Sequence, residues 1–518
     1  MPVYRMPDPD QQKKEKEPLH SSLADNLRDI RKRTGNSNDF VIRKFALLHS
    51  PIQVAAVYVA GLTEKDSVND FVTHALSFEA KESGKLEVTT SLEIFDYMKE
   101  VALSTGEESV ISDWDKLFEM LFSGGTVILI DGLKEAVSSN TSGGEVRSVT
   151  EPSTQVAIRG SKESFTESIG TNISLVRRKI KNPNLWVESM KLGTVTQTDV
   201  SIMYINGIAK EEHVENLKKK LKAMHLDSIL ESGYIEQLME DNTYSPFPTV
   251  YNTERPDSVA GNVLEGRIAI FVDGTPFVLI VPTTFFMFFH AVEDYYQRFD
   301  ISSWIRLLRL MCLMISLFGP ALFIAALNFH QEMIPTPLLI NLASQREGVP
   351  FPVFVEVLLL EITFEIIREA GIRMPSPIGQ TVSIIGGLVL GQAAVQAGIV
   401  SPAMVIVVSL TGISSFATPA FNMALSIRIL RFGIMFIAAF MGLYGICIAS
   451  FILVSHMCSL RSLGVPFMSP LAPFILQSLK DSILRAPLKF MKQRPGLVSQ
   501  KNVALNAKGG NRDDDSDN

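Results

Sequence analysis

Residues 378–455 form a long apolar stretch that decides the architecture of the chain. They read IGQTVSIIGGLVLGQAAVQAGIV (378–400), SPAMVIVVSLTGISSFATPAFNMAL (401–425), SIRILR (426–431) and FGIMFIAAFMGLYGICIASFILVS (432–455). The only charged residues here are Arg428 and Arg431, both in the SIRILR link. A helix needs roughly 20 apolar residues to cross a bilayer. Each of the three longer pieces is therefore long enough to span a membrane.

The two halves of the 518-residue chain differ in composition. Residues 1–265 are charged and mixed, whereas residues 304–476 are mostly apolar. This contrast predicts an α/β cytoplasmic domain with two subdomains, followed by a polytopic α-helical membrane domain. The N-terminus lacks the apolar core of a secretory signal, so we expect the first half to stay in the cytoplasm. A net charge of -7 gives no reason to expect nucleic-acid binding.

A strand-then-glycine pattern recurs four times in the first half. It appears as VYVAGLTEK (57–65), VILIDGLKE (127–135), IMYINGIAKE (202–211) and IAIFVDGTPF (268–277). Asp-Gly and Asn-Gly pairs favour turns because both residue types tolerate positive φ. The pattern predicts a duplicated fold, although solvated loops of α/β proteins produce similar dipeptides. We expect the following units: a polar arm and helix (1–37), α/β subdomain 1 (38–150), a linker (151–184) and α/β subdomain 2 (185–282).

Motifs for catalysis or cofactor binding are missing from the sequence. It contains neither GxxxxGK[ST] nor a GxGxxG that follows a strand, and no Ser/His/Asp or Cys/His set can be assembled. The three cysteines, Cys312, Cys447 and Cys458, have no metal-binding spacing. We therefore expect no enzyme, no cofactor and no metal site.

The second half predicts five to six membrane segments. An interfacial element (283–303), rich in aromatic residues, leads into the membrane domain (304–479), and a polar cytoplasmic tail follows (480–518). The segments are 304–327, 353–373, 378–400, 402–425, 432–455 and a possible re-entrant piece at 463–479. Five spans would leave the basic tail outside, so the last piece is expected to return the chain.

The segment 353–373 carries acidic residues at membrane depth. Glu361, Glu365, Arg368 and Glu369 share one face at 100° per residue. Because charges at that depth are costly, this face must meet protein or water. Either the helix spans with its acidic face inside an assembly, as a subunit contact or buried charge, or it lies on the surface. Spanning is favoured because it places Arg368 and the later Arg428 on the cytoplasmic side.

Segment 378–400 has two distinct faces. Small residues for helix packing are Gly387, Gly391, Ala394 and Gly398. The other face is suited to line a pore and carries Thr381, Ile385, Leu388, Val389, Gln392 and Gln396. In this hypothesis Leu388 and Val389 form an apolar constriction and the two glutamines contact ions. The alternative is ordinary bundle packing, with the glutamines bonded to neighbouring helices.

Several long motifs resemble the A subunit of the GerA-family spore germinant receptors. They include EGRIAIFVDGTPFVLIVPT (265–283), NFHQEMIPTPLL (328–339), VPFPVFVEVLLLEITFEIIREAGIRMP (349–375), GQAAVQAGIVSPAMVIVV (391–408) and LGVPFMSP (463–470). Further matches are EDYY (293–296), VRRKI (176–180) and IMYINGIA (202–209). The resemblance runs from about residue 21 to 476.

The resemblance implies a function that residue spacing alone does not. Such subunits lie in the inner membrane of the spore with a transporter-like B subunit and a lipoprotein C subunit, and nutrients trigger them. The A subunit is thought to form a homo-oligomeric channel that releases monovalent cations. Two alternatives remain: a non-conducting scaffold that docks the B subunit, or a transporter that uses Glu361 or Glu365 as ion sites.

Overall fold

The computed structural model describes residues 17–46, 52–76, 91–105, 108–143, 151–152, 154–374, 389–490 and 494–500 of the chain. Its first half is α/β and its second half is helical. The predicted order of these two regions is therefore confirmed.

The first α/β unit is built on a five-stranded antiparallel sheet with the order β1-β2-β4-β5-β3. Its strands are β1 Phe40–Ala46, β2 Gln53–Val59, β3 Glu108–Ile111, β4 Thr126–Ile130 and β5 Ala136–Ser139. Its helices are α1 Leu23–Arg33, α2 Lys65–Leu76, α3 Ser91–Thr105 and α4 Trp114–Phe122. Ser22 caps α1 by accepting a hydrogen bond from the Asp25 amide.

The second α/β unit has the equivalent strand order, β6-β7-β9-β10-β8, and is also antiparallel. Its strands are β6 Leu185–Leu192, β7 Thr198–Ile205, β8 Tyr251–Thr253, β9 Ile268–Val272 and β10 Val278–Val281. Its helices are α5 Ile169–Lys179, α6 Glu211–Lys222, α7 Ser232–Met239 and α8 Pro256–Leu264.

The four predicted strand–glycine turns occupy matching places in these sheets. They follow β2, β4, β7 and β9, with φ of +83° at Gly61, +90° at Gly132, +81° at Gly207 and +87° at Gly274. Glycine is required because other residues rarely adopt this backbone conformation. The same strand order and the same turns occur in both units, which is the arrangement that the duplication hypothesis predicts.

The junction between the α/β and helical regions is packed inside the protein. Residues Phe285–Phe289 form a 3₁₀ turn whose five side chains are all buried. Phe285 and Phe288 contact Phe467, and Phe288 also contacts Tyr251. The expectation that these aromatic residues face a membrane interface is therefore wrong, because they fill the space between subdomain 2 and the helices.

The helical half contains one 30-residue and one 39-residue helix among shorter ones. Its helices are α9 Glu293–Tyr296, α10 Phe299–Asn328, α11 Thr336–Arg346, α12 Val353–Arg373, α13 Gly391–Gln396, α14 Pro402–Ser415, α15 Phe421–Ser459 and α16 Leu476–Leu479. Of the described helices, α10 and α15 are long and apolar enough to cross a membrane.

Helix α15 is a hairpin of two arms, residues 421–441 and 443–459. Gly442 has non-helical angles, φ 59° and ψ -144°. A Cβ on Gly445 would lie 3.1 Å from the carbonyl oxygen of Ile437, eight residues earlier. Eight residues of a straight helix span about 12 Å, so the arms cross directly after the turn. The predicted single segment 432–455 is therefore wrong.

Both ends of α15 return to subdomain 2. Asn422 donates a hydrogen bond to Glu236, and the His456 ring lies 3.0 Å from the Ser245 hydroxyl. A straight helix would separate residues 422 and 456 by about 51 Å. Residues 236 and 245 are at most about 32 Å apart even in an extended chain. The hairpin therefore brings the following segment back to the side of the α/β region.

Two other predicted segments also differ from the structure. The predicted helix 402–425 is interrupted between Ser415 and Phe421, where Pro419 lacks the amide hydrogen that a continuous helix needs. The predicted re-entrant piece 463–479 consists of a short β11–β12 hairpin (Arg461–Ser462 and Val465–Pro466), turns and the four-residue α16. The two arms of α15, and not residues 463–479, bring the chain back to the side of the α/β region.

Candidate functional site

The apolar helices enclose a layer of charged side chains, which we call the charge layer: Glu361, Glu365 and Arg368 of α12, and Arg428 and Arg431 of α15. The α12 members are four and three residues apart and lie on one helical face. The two arginines are three residues apart in the first arm of α15. Glu361 pairs with Arg431 and Glu365 with Arg428, so the two helices run antiparallel where their charged faces meet.

The centre of the charge layer is the Glu361–Arg431 pair. A guanidinium nitrogen of Arg431 donates to a Glu361 carboxylate oxygen at 2.6 Å, and both side chains are 0% exposed. Three further polar atoms of this pair have no hydrogen-bond partner among the described residues: Oε1 of Glu361 and Nε and Nη2 of Arg431. Such atoms cost free energy in an apolar surrounding.

Glu365 extends the layer by accepting from two arginines. Arg428 donates to it at 2.8 Å and Arg368 at 3.5 Å. The Arg368 guanidinium lies between the rings of Phe364 and Phe416, 4.7 and 4.8 Å from their centroids. It also donates to the Ser415 hydroxyl at 2.9 Å, which links α12 to the end of α14.

Sequence reasoning misplaced the two arginines of α15. Arg428 and Arg431 were expected in a link on the cytoplasmic side, but both lie inside a helix and are buried. Charges between two apolar runs resemble a loop. The available signal is that Arg428 and Arg431 are three residues apart, a spacing that makes them neighbours on a helix surface. Their carboxylate partners, Glu365 and Glu361, lie 63 and 70 residues earlier in the chain.

Glu369 does not belong to the charge layer. It pairs with Arg373 one turn later, at 2.6 Å, and both side chains are exposed. Relative to Glu361 it is rotated by about 80°, at the edge of the predicted acidic face. At the other end of α12, buried Glu356 accepts from Arg346 and from the Ser401 hydroxyl, which fixes the start of α12 against the start of α14.

The predicted pore face falls only partly within the described residues. Thr381, Ile385 and Leu388, as well as Gly387 of the packing face, lie outside them. Val389, Gln392 and Gln396 are exposed, so within the described residues they form a surface of this chain.

The packing face is shorter than expected. A Cβ on Gly391 would lie 3.7 Å from Val405 of α14, and Ala394 is half-buried. Gly398 does not continue the stripe, because α13 ends at Gln396. Its φ is +67°, and the amides of Gly398 and Ile399 bond back to Val395 and Ala394. Helices often end with one residue in the left-handed conformation, and glycine adopts it most easily. Gly398 therefore terminates this helix.

A second set of buried charges joins α9, the start of α10 and the C-terminal region. Asp294 accepts from Arg309 at 2.7 Å and from Arg306 at 3.3 Å, and Arg485 donates to its carbonyl oxygen. Arg306 also pairs with Asp481. Nearby, burial lowers the pKa of His290 well below its ordinary value. Residues from the C-terminal region thus lock onto the start of α10.

Within the described part of the chain, no group of three or more His, Cys, Asp or Glu residues is placed to hold a metal ion. The site is therefore defined by ion pairs and carboxamides, and its possible roles are charge compensation, subunit contact and ion passage.

Comparison with known proteins identifies the family. The family model described as Bacillus/Clostridium GerA spore germination protein matches residues 28–497. Spore germination protein KA of Bacillus subtilis (strain 168) is 51% identical over 96% of this chain and 91% of that protein. Spore germination protein GerLA of Bacillus cereus is 39% identical over 95% of this chain and 98% of that protein.

Two further similarities involve a membrane protein and a solved structure. The uncharacterized membrane protein YfkQ of Bacillus subtilis (strain 168) is 43% identical over 96% of this chain and 95% of that protein. The crystal structure of the N-terminal domain of the A subunit of the Bacillus megaterium spore germinant receptor GerK3 is 44% identical, covers 52% of this chain and 98% of that chain, and has a TM-score of 0.41. On the match over residues 28–497 and the identities to its curated relatives, the chain belongs to the GerA family of spore germination proteins.

Proposed function

We propose that this chain is the A-type subunit of a nutrient germinant receptor in the inner spore membrane. Its α/β region lies in the cytoplasm, and the chain acts with a transporter-like B subunit and a lipoprotein C subunit. Several copies form a nutrient-gated channel that releases monovalent cations. The carrying observation is the exposed carboxamide pair Gln392 and Gln396 on an otherwise apolar helical region.

The helical region supplies six passes in this proposal. They are α10, α12, the segment that ends with α13, α14, and the two arms of α15. Both arms fall within the 17–25 residues that a membrane helix uses. An even number of passes keeps the basic tail on the side of the α/β region, which agrees with the contacts of Arg485 and Asp481 at the start of α10.

The cation path in this proposal follows α13, not the acidic face of α12. The carboxylates of Glu361 and Glu365 are already paired with Arg431 and Arg428. The charge layer contains three arginines and two glutamates, so its net positive charge repels a cation. The uncharged carboxamides of Gln392 and Gln396 offer oxygen acceptors without this repulsion. This argues against the transport hypothesis that uses Glu361 or Glu365 as cation sites.

A matched pair of substitutions tests the channel. Val389 is 53% exposed and lies on the proposed pore face. Its neighbour Leu390 is 51% exposed and, at 100° per residue, is rotated by about 180° from Thr381 of that face. Val389→Ser should hydrate the constriction and cause potassium release from spores without nutrient. Leu390→Ser is the control. If both variants release potassium equally without nutrient, or if neither does, the pore assignment is rejected.

The scaffold alternative rests on a different surface. An open groove on α12 is lined by Ile362, Glu365, Ile366, Glu369, Ala370, Arg373 and Phe432, and we call it the α12 groove. It is suited to hold a helix of another subunit. Reconstitution of the complete receptor in liposomes separates the two functions, because a scaffold gives no cation flux after nutrient addition.

A further inference from the structure

The turns after β2 and β7 each pair with a further segment of the chain. In subdomain 1, Thr63 follows the turn after β2 and forms an antiparallel bridge with Ser142. The amide of Gly143 donates to the Leu62 carbonyl oxygen at 3.1 Å. Ser142 lies three residues after the end of β5, so subdomain 1 fills this place with its own chain.

Subdomain 2 has the same pairing, but its partner comes from the C-terminal region. Ala209 follows the turn after β7 and bridges to Ser499, again in antiparallel orientation. The amide of Gln500 donates to the Ile208 carbonyl oxygen at 2.9 Å. The chain after β10 cannot fill this place, because three residues later it enters the buried turn Phe285–Phe289.

Two glycines occupy matching positions beside the two bridges. Gly124 lies two residues before β4 and Gly266 two residues before β9, with φ of +89° and +100°. A Cβ on Gly124 would lie 2.6 Å from the Leu62 carbonyl oxygen, and one on Gly266 would lie 3.1 Å from that of Ile208. Each Cβ would also lie 3.0 or 3.1 Å from the bridging serine. The two places are therefore equivalent, although different parts of the chain fill them.

Residues 494–500, which we call the strap, make further contacts with subdomain 2. Val498 is 2% exposed. The Leu497 carbonyl oxygen lies 3.3 Å from Nε2 of His213 in α6, and Arg494 donates to the last carbonyl oxygen of α8 at 2.8 Å. The strap thus covers the starts and ends of two helices of subdomain 2 as well as the turn after β7.

We propose that the Ile208–Ala209 edge of subdomain 2 is a binding site for a short peptide, and that the strap occupies it as a removable part. The site takes a segment with a small apolar side chain, such as Val498, one residue before the bridge. The strap is not continuous with the sheet, so it can leave without breaking a strand. It follows Arg485, which bonds Asp294 beside the start of α10. Release of the strap would therefore loosen subdomain 2 from the entry to the helical region.

A synthetic peptide tests this site. A labelled peptide with the sequence of residues 494–503 should bind the chain truncated after residue 493, in nanodiscs. A tethered strap has an effective concentration on the order of millimolar, so the peptide should bind the full-length chain about tenfold more weakly or less. Val498→Asp in the peptide should also weaken binding, because its carboxylate would be buried without a partner. Gly496→Ala is the matched control peptide, since a Cβ there meets nothing within 4 Å.

A full-length variant tests the same site if the truncated chain does not fold. Val498→Asp in the intact chain should release the strap, so that the wild-type peptide binds this variant. Modification with diethyl pyrocarbonate, read by mass spectrometry, gives an independent measurement. His213 is buried and should react several-fold faster in the variant than in wild type, and added peptide should protect it again. His225 is exposed and should react equally in both chains.

Three results would overturn the proposal. The first is that the peptide binds neither the truncated chain nor the Val498→Asp chain. The second is that it binds these chains and the wild type equally, because it would then use another surface. The third is that His213 reacts at the same rate in all chains. These measurements use neither nutrient nor cation flux, so their outcome is independent of the channel proposal.

Discussion

Two buried ion pairs, one in each half of the molecule, share a contact distance but differ in how well they are satisfied. Arg177 of α5 bonds Asp39 at 2.6 Å, and Arg431 bonds Glu361 at the same distance. The Arg177 guanidinium also donates to Ser37 and to the Asn182 carbonyl oxygen, and it stacks on Phe40.

The second pair has far fewer partners. Arg431 keeps two nitrogens and Glu361 one oxygen without a hydrogen bond among the described residues. A fully bonded buried pair fixes geometry, and here it holds the two α/β subdomains together. A half-bonded pair is costly for a lone chain. The difference therefore lies in the hydrogen bonding around each pair: the Arg177–Asp39 pair is surrounded by further acceptors and donors, whereas the Arg431–Glu361 pair is not.

The largest effect is expected when the satisfied pair is broken. Arg177→Ala leaves Asp39 buried without its counter-charge, which should cost about 3–5 kcal/mol of unfolding free energy. Arg178→Ala is the matched control, because this neighbour is half-buried and its contact to the Gly143 carbonyl oxygen is long, at 3.5 Å. Chemical denaturation of the full chain in detergent measures both. A similar loss of unfolding free energy in Arg177→Ala and Arg178→Ala would show that the Arg177–Asp39 pair has no special role in stability.

Replacing each pair by leucines sharpens the comparison. Glu361→Leu with Arg431→Leu removes three unsatisfied atoms, so the lone chain should lose no stability or gain about 1–4 kcal/mol. Asp39→Leu with Arg177→Leu instead leaves the Ser37 hydroxyl and the Asn182 carbonyl oxygen without their hydrogen bonds to Arg177, and should destabilise the chain. Thermal unfolding of the two double variants in nanodiscs decides this, and an equal loss would show that both pairs contribute alike.

The hairpin of α15 depends on one backbone conformation. Gly442→Ala should cost about 1–3 kcal/mol, because its φ of 59° disfavours a side chain and a Cβ would lie 3.0 Å from Phe329. Gly433→Ala, in the helical interior of the same arm with nothing within 4 Å, should be neutral or stabilising. The two Tm values in nanodiscs test this, and a harmless Gly442→Ala would refute the tight turn.

The smallest effect is expected at the boundary of the two regions. Burial raises the pKa of Glu236, which contacts Asn422, to about 7. The folded state therefore holds this proton more tightly than the unfolded state, and stability should fall as pH rises from about 4.5 to about 7. Glu236→Gln should flatten this part of the pH profile of Tm, whereas Glu212→Gln at an exposed site should not.

The sequence was sufficient for the α/β region because its signals are local. Asn-Gly and Asp-Gly pairs at Gly132, Gly207 and Gly274 act through φ, and apolar runs before them become buried strands. The helical region depends on long-range pairing. Nothing local distinguishes Gly442 from other glycines of an apolar run, so the hairpin was predicted as one span.

The charge layer shows the same limit. The acidic face of α12 was visible at helical spacing, but its partners Arg428 and Arg431 became apparent only when the first arm of α15 was seen beside it. A sixth span is needed to keep the basic tail in the cytoplasm, and the sequence favours residues 463–479 for it. In the structure the additional pass arises from the turn at Gly442, whose backbone conformation cannot be read from a hydropathy profile.

Within one chain, the first arm of α15 supplies the arginines that pair with the acidic helix α12. Cysteines at positions 361 and 431, in a chain whose three native cysteines are replaced, can be joined by a short thiol-specific cross-linker. An equal mixture of ¹⁴N- and ¹⁵N-labelled chains is reconstituted, cross-linked and analysed by mass spectrometry. We expect every linked pair of peptides to carry a single isotope. Linked pairs that join a ¹⁴N peptide to a ¹⁵N peptide would show that Arg431 pairs with Glu361 of another chain.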